Sequence, residues 1–336
     1  MDRDVVDAMP DVLRRYLSAQ LPQISDVRIG PVSRSPGGSS RAMYFFDAGW
    51  TGDAPVSTTL ALRMDESSTF KEPEISLLRE YRVYQALMGT PVPVIGNYWY
   101  EDDPGWLGQP FVIRERIDGV HTSIDDASAE EKQTILENFI EIIAAQHSLD
   151  WQALGLEFLG VPSTPAAFPG ELLDKWAAVF RRDQLGPDPL TVAGIAQLRQ
   201  KLPTGADQIV LLQGQVGPNQ ILWRDGKILA SLDWESAMLG DPMADLAYFS
   251  LACRPHVGDE FVEHLLQRYT ELTGTPIRRD SFAFYTGFQL FWSSVVATTC
   301  LNLFGTRPTP RLEPLRAATV RTRPFLRRFE HSVTGL

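Results

Sequence analysis

The segment from residue 209 to residue 249 constrains the fold more than any other, and it reads IVLLQGQVGPNQILWRDGKILASLDWESAMLGDPMADLAYF. Residues 209–212 are apolar and precede a loop rich in amides and glycine, which predicts a short buried strand. The Asp-Gly pair at 225–226 is typical of a tight hairpin turn. Residues 227–232 then form a strand that ends at Asp233. The hairpin therefore presents both of its flanking loops on one side.

The rest of the second half is predicted to be rich in helix. Ser128 and Glu131 have the spacing of a capping box, and apolar residues at helical spacing follow as far as His147. Another helix is expected over 171–182. Residues 282–304 contain no charged side chain and are long enough to cross a bilayer. Their polar residues form one stripe and neither flank carries a marked Lys/Arg cluster, so we expect a buried helix rather than a membrane span.

The first half follows the pattern strand, strand, strand, helix, strand, strand, after a short amphipathic helix over 7–19. The helix within that pattern covers residues 73–87, and the polar stretch 47–57 separates the second strand from the third. The predicted strands cover residues 27–32, 43–48, 58–63, 96–101 and 111–116. This half is expected to be an α+β lobe.

Composition narrows the class of protein and its partners. The 336 residues are 44% hydrophobic and 22% charged, as in a globular protein with one or two domains. Because 42 acidic residues outnumber 31 basic ones, we expect no binding to nucleic acid or to an anionic membrane, and a small-molecule substrate instead. Cys253 and Cys300 form no CxxC pair, and the N-terminus lacks the apolar core of a signal peptide. A cytoplasmic location is therefore expected.

The motifs of residues 209–249 resemble the catalytic core of the aminoglycoside phosphotransferase and choline kinase family, whose members share the protein-kinase-like fold. The family pattern is a strand, HGDxxxxN, a hairpin, a second strand ending in (I/L)DWE, and GDPxxDLA. The chain keeps LDWE at 232–235 and GDPMADLA at 240–247. The resemblance implies a two-lobed α+β fold. A small N-lobe over residues 1–117 would contain an antiparallel sheet and a helix, and a larger helical C-lobe would cover residues 118–336.

Other motifs extend the resemblance from about residue 32 to residue 305. Residues 36–40 lie where the family's glycine-containing loop covers the nucleotide phosphates. Arg63 stands at the phosphate-pairing basic position, as in a branch of the family associated with acyl-CoA dehydrogenases, and Glu80 is expected to pair with it. The sequence from 145 to 156 is similar to that branch's LHxxD…LGL signature. The nucleotide-binding residues that the resemblance implies are Gly37, Gly38, Ser39, Ser40, Arg63, Glu80 and Glu115.

The resemblance also implies ATP and Mg²⁺ as cofactors. Phosphoryl transfer in this fold needs a carboxylate that accepts the proton of the attacking hydroxyl, metal ligands, and a basic residue on the phosphates. Asp233 fits the metal role, because a carboxylate at the end of a buried strand is a hard oxygen ligand. The other interpretation of Asp233 is a structural one, in which it caps the turn that follows the strand.

The chain departs from the family at the motif that carries the chemistry. Aligned without a gap, HGDxxxxN becomes QGQVGPNQ, so that Gln213 replaces the His, Gln215 the catalytic Asp and Gln220 the metal-binding Asn. The amide of Gln215 can hydrogen-bond a hydroxyl but cannot act as a general base near neutral pH. The Gln220 carbonyl could still reach Mg²⁺, and Asn219 is the alternative ligand if the loop is one residue tighter.

These substitutions leave three functions open. The first is an ATP- and Mg²⁺-dependent phosphotransferase that acts on a hydroxyl, slowed about 10²- to 10⁴-fold by loss of the base. The second is a catalytically degenerate protein that binds a nucleotide or a small apolar ligand. The third is ATP-independent chemistry in which Gln213 and Gln215 donate hydrogen bonds.

Two further features of this region have a structural and a functional interpretation. The carboxylates of Asp241, Asp245 and Glu235 are candidates to replace the missing base, while Asp241 and Asp245 are also expected to tie neighbouring loops together. Aromatic residues follow the same motifs and line either the core of the C-lobe or an apolar or aromatic substrate pocket. This aromatic content argues against a polycationic aminoglycoside as the substrate.

Overall fold

The structure is a computed structural model that describes residues 3–35, 41–65, 72 and 75–306. The predicted loop residues Gly37, Gly38, Ser39 and Ser40 lie outside the described residues. The chain forms two compact units. The first contains the described residues up to Met88 together with Val94–Val120, and the second contains Gly89–Pro93 and the described residues from His121 onward.

The first unit is an antiparallel sheet with three helices among its described residues. Its helices are α1 (Arg3–Gln20), α2 (Leu77–Leu87) and α3 (Pro104–Leu107). Its strands are β1 (Ser25–Ile29), β2 (Ser33–Arg34), β3 (Ala42–Thr51), β4 (Pro55–Met64), β5 (Asn97–Glu101) and β6 (Phe111–Glu115). The strand order is β1-β3-β4-β6-β5, and β2 pairs with β3.

The core of the first unit lies between α1 and the sheet. In β3 the buried and more exposed positions alternate, so Tyr44, Phe46 and Ala48 all point to one face. Buried residues of α1 pack on that face, and the Tyr16 ring makes an edge contact with the Phe111 ring at a centroid distance of 5.1 Å. Apolar burial of this kind supplies most of the driving force for folding.

The structure differs from the sequence prediction over residues 47–57. The polar stretch does not separate two short strands, because β3 continues to Thr51, β4 begins at Pro55, and these two residues pair across the hairpin. Asp47 is exposed while Ala48 is buried, so polar residues on the solvent-facing side do not interrupt the strand.

The second unit is mainly helical and carries two small sheets. Its helices are α4 (Ala129–His147), α5 (Phe168–Asp183), α6 (Pro189–Gln200), α7 (Met243–Thr273) and α8 (Arg279–Thr306). Its strands are β7 (Val210–Leu212), β8 (Ile221–Arg224), β9 (Lys227–Ser231) and β10 (Met238–Gly240). Strand β7 pairs with β10, and β8 pairs with β9, both antiparallel.

Local sequence signals place the ends of these elements. The Ser128 hydroxyl accepts the Glu131 N–H, and the Glu131 carboxylate accepts the Ser128 N–H, so the predicted capping box begins α4. Asp225 and Gly226 both have positive φ, as a tight turn between β8 and β9 requires. Helix α8 buries most of its residues between Ser281 and Cys300, which confirms the buried helix predicted there. Nowhere in the described ranges does a helix combine the length and hydropathy needed to cross a bilayer.

Candidate active site

Asp245, in the first turn of α7, anchors the loop that follows β7. Its buried carboxylate accepts the Gly214 N–H at Oδ1 and the Gln213 N–H at Oδ2, each at 2.9 Å. Oδ2 also accepts from Gln146 Nε2 at 3.1 Å and lies 3.4 Å from His147 Nε2. The N-terminal turn of a helix is a favourable place for a negative charge. One carboxylate therefore fixes the backbone at the start of the loop.

Gln213 connects this loop to the end of β9. Its side chain is fully buried, and Nε2 donates to the Leu232 carbonyl at 2.6 Å. Its Oε1 accepts the Gln215 N–H at 3.1 Å. The amide thus uses both a donor and an acceptor, which is how a glutamine can organise a loop where the family has a histidine.

Gln215 is half-buried, and its side chain turns toward the segment after β9. Nε2 donates to the Ser236 hydroxyl at 2.6 Å. The amide is uncharged and carries no lone pair basic enough to take a proton from an alcohol near neutral pH. The residue at the catalytic-base position is therefore a neutral hydrogen-bonding group.

Asp233 occupies an unusual backbone conformation two residues after the end of β9. Its φ of 62° and ψ of 53° lie in the left-handed region, and a short 3-10 turn from Trp234 to Ser236 follows. Non-glycine residues in this region are uncommon and concentrate at functional sites and turns. Asp233 is partly exposed.

The two predicted amide ligands have different surroundings. The Leu232 N–H donates to the Gln220 carbonyl at 2.8 Å, which brings the backbone of Gln220 beside the residue that precedes Asp233. Asn219 is exposed, and its Oδ1 accepts a hydrogen bond from the Ser123 hydroxyl at 3.3 Å. Of the two, Gln220 is the one brought toward Asp233. Across the described residues, no group of three His, Cys, Asp or Glu side chains is arranged to hold a metal ion.

Asp241 and Asp245 both serve to hold the backbone. Asp241 Oδ1 accepts the Met243 N–H at 3.0 Å and a hydrogen bond from Arg278 Nη2. Burial raises the pKa of the Asp241 carboxyl, although the Met243 N–H and the Arg278 guanidinium act in the opposite direction. Because both carboxylates are buried and bind these groups, their geometry favours the loop-tying role over a role as the replacement base.

In the first unit, Arg63 and Glu80 form the expected ion pair. Arg63 Nη2 on β4 lies 3.3 Å from Glu80 Oε2 on α2, and both side chains are mostly buried. The sequence did not indicate a second arginine at this carboxylate. Arg41 Nη1 lies 3.1 Å from the same Oε2 atom, in a side chain that is only 1% exposed. Arg41 directly follows the predicted phosphate loop, but no spacing rule connects it to Glu80.

Glu115 lies at the end of β6, and its carboxylate contacts the backbone rather than projecting freely. Oε2 accepts the Gly96 N–H at 3.0 Å, while the Glu115 N–H donates to the Gly96 carbonyl at 2.7 Å. These two bonds hold the end of β6 against the residue before β5. The expected nucleotide contact of Glu115 stays a prediction.

Position 214 requires a glycine because of both its backbone conformation and the atoms packed against it. Its φ is +88°, and a Cβ added there would lie 2.6 Å from the Ser236 carbonyl oxygen. We expect Gly214→Ala to reduce the free energy of unfolding by more than about 2 kcal/mol. Gly226→Ala is the matched control, since Gly226 has a φ of +72° but a Cβ there would meet nothing closer than 3.7 Å.

The measurement for both glycine variants is chemical denaturation. Gly226→Ala should cost about 1 kcal/mol, from the backbone conformation alone. Equal losses in the two variants would contradict the importance of the close approach between Gly214 and Ser236.

In the second unit, β7 is followed by an aspartate-anchored loop, a hairpin and Asp233 two residues after β9, which is the order of a kinase-like fold. The model of the phosphotransferase enzyme family matches residues 32–281. The chain therefore belongs to the phosphotransferase enzyme family.

Solved structures confirm the kinase-like α+β fold. A candidate aminoglycoside phosphotransferase from Ralstonia eutropha is similar, with a TM-score of 0.71 and 24% identity over 97% of this chain and 98% of that one. Aminoglycoside phosphotransferase APH(4)-Ia is also similar, with a TM-score of 0.60 and 17% identity over 94% of this chain and 98% of that one. At these identities the likeness establishes the fold.

The curated relatives are longer proteins. Acyl-CoA dehydrogenase family member 11 of Rattus norvegicus is 26% identical over 262 residues, which are 74% of this chain and 32% of the relative. Acyl-CoA dehydrogenase family member 10 of Mus musculus is 26% identical over 203 residues, 57% of this chain and 18% of the relative. The chain thus spans about a third or less of the length of these relatives.

Proposed function

We propose that this protein is a slow, ATP- and Mg²⁺-dependent phosphotransferase that phosphorylates a hydroxyl group of a small molecule. The observation that carries the proposal is the ordered loop held by Asp245, which has two consecutive main-chain N–H groups on one buried carboxylate. The loop therefore keeps the backbone framework on which a phosphotransferase of this fold would place its side chains. The altered side chain at Gln215 changes the chemistry of the loop and leaves its course intact.

The phosphate-binding role falls to Arg63. Its guanidinium offers planar, charged donors suited to phosphate oxygens, and Glu80 fixes its direction through the 3.3 Å contact. The donor set therefore fits the phosphates of a nucleotide. APH(4)-Ia has been solved with ADP and hygromycin B, which supports a nucleotide as the ligand of this fold.

The metal-binding role falls to Asp233 and Gln220. A carboxylate and an amide carbonyl are both hard oxygen donors, which suits Mg²⁺. Two protein ligands are enough where Mg²⁺ keeps waters and binds substrate phosphates as well. When bound, the ion would supply positive charge to phosphate oxygens, and the two side chains would hold it on the end of β9 and the loop.

Gln215 limits the rate in this proposal. Its amide can orient a hydroxyl by hydrogen bonding, but the proton of that hydroxyl must pass to solvent or to a phosphate oxygen. Loose phosphoryl transition states depend mainly on positioning and electrostatics, so we expect a rate lowered by about 10²- to 10⁴-fold rather than abolished.

An apolar pocket in the second unit favours an apolar or aromatic acceptor. It is lined mainly by Leu172, Trp176, Met238, Phe288 and Trp292, and it opens beside Gly214 and Ser236. Its free space is about 20 Å³, close to one water molecule, so an acceptor must displace side chains to enter. The pocket's single acid, Asp245, is buried and bound to the loop, so this pocket offers no exposed carboxylate to a polycationic aminoglycoside.

A binding protein without catalysis is the second candidate, and the Gln215–Ser236 hydrogen bond favours it. That bond satisfies the amide inside the protein, at the position where an active member needs a free base. This candidate also predicts nucleotide binding or binding of an apolar ligand, so turnover is what separates it from the first.

The first test is a thermal-shift titration with ATP and ADP, each with Mg²⁺ and with EDTA. Binding to the folded state should stabilise it by about 2.7 kcal/mol when the free ligand exceeds its dissociation constant a hundredfold. We expect a shift that shrinks when Mg²⁺ is removed, because Asp233 then faces the phosphates without a neutralising ion. Adenosine is the control, since it lacks phosphates. No shift at millimolar ATP would contradict the proposed function.

A further inference from the structure

Arg41 lies at the centre of a buried charge cluster in the first unit. Besides its contact with Glu80, its Nε lies 3.2 Å from Asp65 Oδ1, and its Nη2 donates to the Ile75 carbonyl at 2.6 Å. Arg63 reaches the cluster through Glu80. Arg41 is 1% exposed, so it cannot itself meet a ligand in this arrangement.

The two arginines share one carboxylate oxygen. Arg41 Nη1 and Arg63 Nη2 lie 3.1 Å and 3.3 Å from Glu80 Oε2. When a carboxylate faces a single guanidinium, it cancels much of the positive charge of that guanidinium. When two guanidinium groups share the carboxylate, each of them keeps more of its positive charge. Arg41 also contacts Asp65, which stands two positions after Arg63 in the sequence, so Arg41 offsets the charge of a second acidic group in the cluster.

We propose that Arg41 is a positioning residue for phosphate binding, which offsets the charge of Glu80 and Asp65 so that Arg63 keeps its attraction for phosphates. The inference rests on the proposed nucleotide binding. It adds a residue that acts on the phosphates through Glu80 and Arg63 and touches neither the nucleotide nor the acceptor. Its effect is electrostatic, so it should depend on the charge at position 41 more than on the shape of the side chain.

The test compares the dissociation constants for ATP and for adenosine in each variant, measured by calorimetry with Mg²⁺. Because adenosine lacks phosphates, its dissociation constant reports on general damage to the site. The ratio of the two dissociation constants then measures the contribution of the phosphates to binding. We expect Arg41→Met to weaken ATP binding about tenfold while adenosine binding is unchanged. Arg41→Lys cannot reproduce the three contacts of Arg41, but it keeps the positive charge. Its ratio of dissociation constants should therefore stay within about threefold of the native ratio.

Asp65→Asn supplies a test in the opposite direction. The Asp65 side chain is 29% exposed, so this variant is expected to fold even if Arg41→Met does not. Removing the Asp65 charge while keeping Arg41 should strengthen the binding of ATP relative to adenosine by about threefold. The effect is smaller than for a buried charge, because solvent screens the partly exposed Asp65. Glu137→Gln, in the second unit, removes an exposed acidic charge of similar size and should leave the ratio unchanged.

Three outcomes would overturn the inference. A folded Arg41→Met protein with a native ratio would remove the need for Arg41, and a parallel loss of ATP and adenosine would indicate structural damage. An Asp65→Asn protein whose ratio is unchanged or weaker would contradict the charge mechanism. Failure of the native protein to bind ATP would instead overturn the proposed function, and the inference with it.

Discussion

Asp245→Ala is expected to lower the free energy of unfolding by about 3–5 kcal/mol. The substitution removes the acceptor of four donors in a buried place, namely the N–H groups of Gln213 and Gly214 and the side chains of Gln146 and His147. Each donor left without a partner loses its hydration without compensation. It also removes a negative charge that the first turn of α7 favours.

Asp188→Ala is the matched control for this prediction. Asp188 likewise accepts a main-chain N–H, in this case from Thr191 in the first turn of α6 at 3.0 Å, but it is partly exposed, so water can replace it. Its loss should cost about 1 kcal/mol. Urea denaturation of both variants measures the difference. Equal costs would mean that water fills the Asp245 site and that the loop does not depend on this carboxylate.

The elements with regular patterns could be predicted from the sequence. Alternating burial in β3, the Asp-Gly turn after β8 and the capping box of α4 are local effects, and each agrees with the structure. Local rules failed where the exposed face of a strand is polar, as at Asp47. They also missed α3, which has four residues and begins at a cap formed by Asp103. A helix this short has no apolar period to detect.

The candidate site shows the same limit more clearly. Gln213, Gln215 and Asp233 could be named because they stand within one ordered motif of the sequence. Arg41 could not, because it meets Glu80 across 39 positions of the chain through tertiary packing. Ser236 follows the DWE motif directly, yet only the structure shows that it holds the amide of Gln215. Residues that come into contact only through tertiary folding have no characteristic spacing in the sequence.

The ordered main chain of the loop and its altered side chains also separate two requirements of such a site. Asp245 and Gly214 hold the backbone, and this function needs no particular residue at position 215. In the proposed function, a base at position 215 would serve only to accept the proton of the acceptor hydroxyl. A chain can therefore keep the whole architecture and change its chemistry at a single side chain.

Gln215→Asp is expected to raise turnover by about 10²- to 10⁴-fold. The carboxylate would supply the missing base on a loop whose backbone Asp245 already fixes. Asp is one methylene shorter than Gln, so its carboxylate would give up the 2.6 Å contact that the Gln215 amide makes with the Ser236 hydroxyl and would stay available to accept a proton. Because the loop is held by its main chain, the substitution should change stability by less than about 1 kcal/mol.

ADP release from ATP and Mg²⁺ measures this prediction without a known acceptor, since water can take the place of the hydroxyl. Gln215→Asn is the matched control, because it has the length of Asp and lacks the charge. We expect turnover to rise in Gln215→Asp alone, while both variants bind ATP as the native protein does. Equal turnover in the two variants would show that position 215 does not limit the reaction. Together with intact ATP binding, that result would favour a nucleotide-binding protein over a slow phosphotransferase.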